Sequence, residues 1–174
     1  MHPIIYDVAV SADGYICGPD ADVSAFPHSG PIVDDYMARL QNYAVALMGR
    51  ATYEFGLAHG LPPGANPYPH MRSIVVSSKL ELPETSEIEL WRDLSALNTL
   101  RQQAEGPIYL CGGGVLAQAL AQACHLSELR LKRAPCILGS GIPLFAPGTP
   151  SFTLSLLEQR DYGNGLLYQA FRIP

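Results

Sequence analysis

Three consecutive glycines, Gly112-Gly113-Gly114, separate the apolar run Ile108-Tyr109-Leu110-Cys111 from a helix-forming run that begins Val115-Leu116. Such a junction can hold a phosphate. Without Cβ atoms the backbone lets an anion come close, and the helix start presents unpaired N–H groups to it. A tight turn with no ligand uses the same residues, and the run is neither a G-x-G-x-x-G fingerprint nor a Walker sequence. A second junction repeats the form: Ala46-Leu47-Met48 runs into Gly49-Arg50-Ala51-Thr52. Here an arginine can grip a phosphate bidentately, and a threonine can cap the helix or donate to the same oxygens. A third apolar run ends in Ser77-Ser78-Lys79. Singly, an exposed arginine and a polar turn account for these last two. Together, three strand ends with anion-compatible groups point to one ligand with several phosphates at the carboxyl edge of an α/β sheet, and a dinucleotide with an extra phosphate fits.

Other candidates are weaker. Asp34 and Asp35 fall in the first turn of an expected helix, where carboxylates complement the dipole as readily as they do chemistry. His28, His59 and His70 lie in loops without metal-ligand spacing, so no metal site is expected. Cys111 precedes the glycines and reads as a packed thiol that can also line a ligand pocket. Cys17, Cys111, Cys124 and Cys136 are scattered and form no C-x-x-C, which fits reduced thiols and a cytoplasmic location. The net charge is −5 with no basic stripe, arguing against nucleic acid or an anionic membrane surface as partner. No apolar run approaches the roughly 18 residues of a membrane span.

The elements that must position these residues follow from periodicity. Strands are expected over Ile4–Val10, Ala44–Met48, Ser73–Ser77, Ile88–Trp91, Ile108–Cys111 and Glu128–Ile137. Helices are expected over Ile32–Tyr43, from Gly49 through Leu57, and over Ser95–Gln103 and Val115–Cys124. Residues 17–31 and the proline-rich Gly60–Pro69 read as loops. Phe152–Glu158 and Leu166–Ile173 read as a closing antiparallel hairpin. The order predicts one domain over 1–174, an α/β fold with a mixed, mostly parallel sheet of about eight strands and helices on both faces.

Four segments occur in the order and spacing of the dihydrofolate-reductase-like superfamily, which the chain resembles over essentially its whole length: Ser11-Ala12-Asp13-Gly14-Tyr15-Ile16, Met48-Gly49-Arg50-Ala51-Thr52-Tyr53-Glu54, Val75-Val76-Ser77-Ser78 and Tyr109-Leu110-Cys111-Gly112-Gly113-Gly114. Glu128-Leu129-Arg130-Leu131 and Pro135-Cys136-Ile137-Leu138-Gly139-Ser140-Gly141-Ile142-Pro143-Leu144-Phe145 resemble the RibD C-terminal branch in particular. The resemblance implies a three-layer reductase fold with NADPH as cofactor and a small-molecule substrate. Carried over by position, Ala9 and Ile16 would flank the nicotinamide. Gly49, Arg50 and Thr52 would meet the phosphates near the adenosine ribose and the pyrophosphate. Ser77 and Ser78 would lie at the adenosine end, and Gly112, Gly113, Gly114, Val115 and Leu116 would cradle the pyrophosphate. RibD-like relatives also imply a homodimer.

The departures bear mostly on substrate. Ala51 stands where dihydrofolate reductases carry a second basic residue, which leaves 2′-phosphate recognition to Arg50, the serines and Lys79. Their catalytic acid falls on Val33 without gaps, so Asp34 and Asp35 are the candidates for that role. Their tail-binding arginine falls on Met71, beside Arg72, behind an enlarged loop, so folate is a poor fit. The expected activity is hydride transfer from NADPH to a small pteridine-, flavin-precursor- or ribosylaminopyrimidine-like ring. The uracil reductase of riboflavin synthesis and a non-catalytic NADP-binding protein are the alternatives.

Overall fold

The protein, described here over all 174 residues by a computed structural model, is built on an eight-stranded sheet. The chain runs β1 (Ile4–Val10), β2 (Tyr15–Cys17), a 3-10 turn (Pro19–Ala21), α1 (Pro31–Leu40), β3 (Val45–Gly49), α2 (Arg50–Ala58), β4 (Arg72–Val76), β5 (Glu89–Trp91) and α3 (Leu97–Gln103). It continues through β6 (Ile108–Gly112), α4 (Gly114–Gln122), β7 (Leu126–Arg133), β8 (Ile142–Pro143), β9 (Ser155–Asp161) and β10 (Leu167–Arg172). Across the sheet the order is β5-β4-β3-β6-β1-β7-β10-β9. Neighbours from β5 to β7 pair in parallel, and β10 pairs antiparallel with both β7 and β9.

The central strands are apolar on both sides, as a sheet covered on both faces requires. Alternate residues of one strand feed two cores. Ile4, Tyr6 and Val10 of β1, Val45 and Leu47 of β3, and Ile108 and Leu110 of β6 pack with Leu97 and Leu100 of α3 and Leu116 and Leu120 of α4. Ile5, Ala46, Met48 and Tyr109 face the other way, towards Leu40 of α1, Tyr53 of α2 and Tyr43 between α1 and β3. Helices therefore cover both faces, giving the three layers that the resemblance implies.

Two expectations need correction. The long strand expected to reach Ile137 stops at Arg133, where the β1 ladder ends with Val10 opposite Arg133. Pro135 offers no N–H to extend it, and residues 138 and 139 turn towards Asp13, whose carboxylate accepts their N–H groups at 3.1 and 2.7 Å. The first strand of the closing hairpin begins at Ser155 rather than Phe152. Phe152 and Leu154 instead pack against the main core. A small second sheet, β2 with β8, had no counterpart in the sequence reading. It fixes the crossing of Gly141 over Cys17, where a Cβ would stand 2.0 Å from the Cys17 carbonyl oxygen.

Candidate active site

Two adjoining cavities open above the carboxyl ends of the central strands. The larger, about 660 Å³, lies between the starts of α2 and α4 and is lined by Ile16, Gly49, Arg50, Thr52, Val76 and the run Gly112–Leu116, among others. This volume is within the ~300–1,000 Å³ usual for ligand sites. Gly49 and Gly113 cap the two helices without any side-chain hydrogen bond, so both helix starts keep free N–H groups at the cleft. The glycine run divides by task. A Cβ on Gly112 or Gly113 would meet only Thr52 Oγ1, at 3.5 and 3.7 Å, so protein packing does not exclude one there. A Cβ on Gly114 would stand 2.4 Å from the Pro143 carbonyl oxygen, so that glycine serves the fold. Gly112 also has φ +138°, and the peptide it makes with Gly113 is cis.

Arg50 is the only charged side chain lining the larger cleft. Its Nη1 donates to both oxygens of Glu54, at 3.0 and 3.1 Å, and both residues are exposed. Such a pair stabilises by about 0–1 kcal/mol and leaves Arg50 free to turn to an anion. Ser77 and Ser78 stand back from the lining, in which Val76 represents their strand. The Ser77 hydroxyl accepts the N–H groups of Lys79 and Leu80, at 3.2 and 2.9 Å, and so closes its own turn.

The smaller cavity, about 350 Å³, is walled by Tyr36, Tyr53, Phe55, Tyr68 and Tyr109, with Ala9, Leu61 and Pro67. Its charged residues are Asp7 and Lys132 alone. Asp7 sits on the face of β1 opposite Tyr6 and Val10 and is wholly buried. A carboxylate there requires partners. Lys132 Nζ donates to it at 2.8 Å, Arg39 Nε at 3.0 Å and the Tyr43 hydroxyl at 3.3 Å. Burial alone would raise the Asp7 carboxyl, but Lys132 and Arg39 outweigh it and hold it below its ordinary value. Burial lowers the Lys132 ammonium, with Asp7 opposing only in part. That ammonium also lies 3.5 Å from the centre of the Tyr36 ring. The Tyr36 and Tyr109 hydroxyls are 2.6 Å apart, and Tyr68 Oη is 3.1 Å from Cys111 Sγ. Burial raises all three phenols and the Cys111 thiol.

Of the residues singled out from the sequence, Ile16, Gly49, Arg50, Thr52 and Gly112 to Leu116 meet at the larger cleft, and Ala9 lies in the smaller one. Asp34 and Asp35 line neither cavity. Asp34 is exposed, and Asp35 is tied to Arg160 and Tyr162 on the outer side of α1. The residue of α1 that enters the cavity is Tyr36. Asp7 and Lys132 were missed, although Asp7 carried a signal: a lone carboxylate inside Ile4-Ile5-Tyr6-Asp7-Val8-Ala9-Val10 needs a buried cation.

A family model described as the RibD C-terminal domain matches residues 3–168. The chain belongs to this family. Among RibD C-terminal relatives, the Bacillus subtilis (strain 168) protein YwjB, described as uncharacterized, is 25% identical over 162 residues covering 91% of each chain. The crystal structure of a candidate riboflavin biosynthesis protein from Shewanella sp. PV-4 superposes with TM-score 0.81 at 21% identity, covering 100% of this chain and 99% of that one. Dihydrofolate reductase from Enterococcus faecalis, complexed with NADP(H) and RAB-propyl, superposes with TM-score 0.68 at 15% identity, covering 98% of this chain and 96% of that one. These likenesses establish a dihydrofolate-reductase-like fold for this RibD C-terminal chain.

Proposed function

We propose that the protein is an NADPH-dependent reductase acting on a small cyclic substrate with a C=N or C=O bond. The observation that carries this reading is the junction of the cavities: Val8, Val23, Thr52, Phe55 and Cys111 line both. A dinucleotide in the larger cleft would thus end where a ring in the smaller one begins. The residues fit the cofactor. Two uncapped helix starts and the open backbone at Gly112 and Gly113 suit a pyrophosphate, and Arg50 suits a further phosphate. When bound, NADPH supplies the hydride; the protein orients the ring against it and keeps water out with an aromatic wall. The fold shared with a reductase solved with NADP(H) supports the reading.

The test is calorimetric binding of NADPH and NADH to the wild type and to Arg50→Ala. NADPH is expected to bind at least about tenfold tighter, and loss of one charged hydrogen bond, about 1.5–3 kcal/mol, should remove most of that preference. Failure of both nucleotides to bind would sink the proposal. Tight binding without oxidation by any ring carbonyl would leave a non-catalytic NADP-binding protein.

We also read the protein as a cytoplasmic homodimer. All four cysteines are free. The edge strand β9 is exposed at all seven residues, with Leu156 and Leu157 at 57% and 44%, and offers an unpaired ladder to a second copy.

A further inference from the structure

We propose that Lys132 is the proton donor of the smaller cavity, and that the substrate is an uncharged planar ring whose carbonyl or imine meets the lysine Nζ. The inference rests on the reductase reading and adds to it the acid and the substrate class.

The geometry singles out the lysine. Asp7 takes one of its three ammonium hydrogens at 2.8 Å, and no other hydrogen-bond partner is present. The remaining donors are available to a ligand in the cavity that both residues line. The groups packed around it come from every neighbouring element. They are Asp7 on β1, Tyr36 and Arg39 on α1, Tyr109 and Cys111 on β6, Tyr68 from the loop before β4, and Tyr168 opposite it on β10. Among them the phenols and the thiol are all made weaker acids by burial, whereas Lys132 is made a stronger one. Asp7 is ionised and has no proton to give. Its part is to position the ammonium and keep it charged.

The same lining residues set the substrate. Arg50 serves the larger cleft and does not line the smaller one. The single cation lining the smaller cavity is paired with Asp7, and the other walls are apolar and aromatic, so a phosphate or sulfonate on the ring would lose its hydration with no free cation in the lining to receive it. A neutral flat ring instead meets the faces and edges of Tyr36, Tyr68, Tyr109 and Phe55. A ring carrying a phosphate into this cavity is therefore expected to bind more weakly than a neutral one.

A hydride from the reduced nicotinamide adds to the carbon of C=O or C=N, and the π pair moves to the oxygen or nitrogen. The proton from Lys132 Nζ completes the new O–H or N–H bond. Lys132 is left as a neutral amine and regains its proton from water.

Isatin, a neutral planar dione, and isatin-5-sulfonate, its anionic counterpart, serve as probes. Calorimetry without nucleotide should show isatin binding and the sulfonate at least about tenfold weaker. With NADPH, the wild type should convert isatin to the 3-hydroxy product. Lys132→Arg keeps the charge and the Asp7 pair, so it tests the chemistry without removing the buried cation; its guanidinium does not release a proton near neutrality. It should bind isatin within about threefold of the wild type yet lose about 100-fold in kcat, the lower range for general acid catalysis. The wild-type kcat should fall as rising pH deprotonates Lys132, and in Asp7→Asn the fall should move to lower pH. Equal binding of the two probes, no isatin binding, or an unchanged kcat in Lys132→Arg would each overturn the proposal. Isatin binding without NADPH binding would fail the reductase reading and the proton step together, while leaving the preference for a neutral ring standing.

Discussion

Asp7 carries opposing demands, since it is wholly buried and charged, and three donors hold it in that state. Replacement by alanine would leave Lys132 and Arg39 without their counter-charge, a loss of about 3–5 kcal/mol for breaking a buried pair. Urea unfolding of Asp7→Ala measures it. Because the folded carboxyl is held below its ordinary value, its stabilisation is complete at neutral pH and is lost as the pH falls through the folded value. Thermal melts between about pH 5 and pH 2 should therefore fall steeply for the wild type and less steeply for Asp7→Asn. At this scale the sequence was half legible. Glycines and an arginine at strand ends advertise an anion site by local pattern, so Arg50 and Gly112, which line the larger cleft, stand out in the sequence. Lys132 could not be found that way, because its meaning depends on a carboxylate 125 positions earlier in the chain.

The glycine run after β6 shows how one element divides its labour. Gly113→Ala should leave the melting temperature near the wild type, since the nearest atom to the added methyl is Thr52 Oγ1 at 3.7 Å, and should weaken NADPH binding. Gly114→Ala should destabilise by about 1–3 kcal/mol, because its methyl meets the Pro143 carbonyl oxygen at 2.4 Å. Parallel melts and nucleotide titrations separate the two, and equal behaviour of both variants would contradict this division. The principal helices and strands were legible because apolar periodicity extends over five or more residues. The paired strands β2 and β8 were not, being three and two residues long with no period to read. The overrun of β7 has a different cause: alternation continues past Arg133, but the neighbouring β1 does not.

For the whole molecule, the class of fold followed from the order of elements, whereas the strand order across the sheet did not. Parallel neighbours are set by helical crossovers, and nothing local tells β1 that it will lie between β6 and β7. The open β9 edge makes the assembly testable. Light scattering is expected to give twice the 18.8 kDa chain mass, and a lysine at Leu156 should return the monomer. The central position of β1 also has a consequence during synthesis. Ile4 pairs with Ile108 on one side and Leu126 on the other. During synthesis β1 thus leaves a ribosome long before either of its neighbours in the sheet. At roughly 5–20 residues per second, it waits on the order of 5–20 s for its first partner. Through that interval Ile4-Ile5-Tyr6 and Val8-Ala9-Val10 remain uncovered, which makes β1 the segment that chaperones must shield.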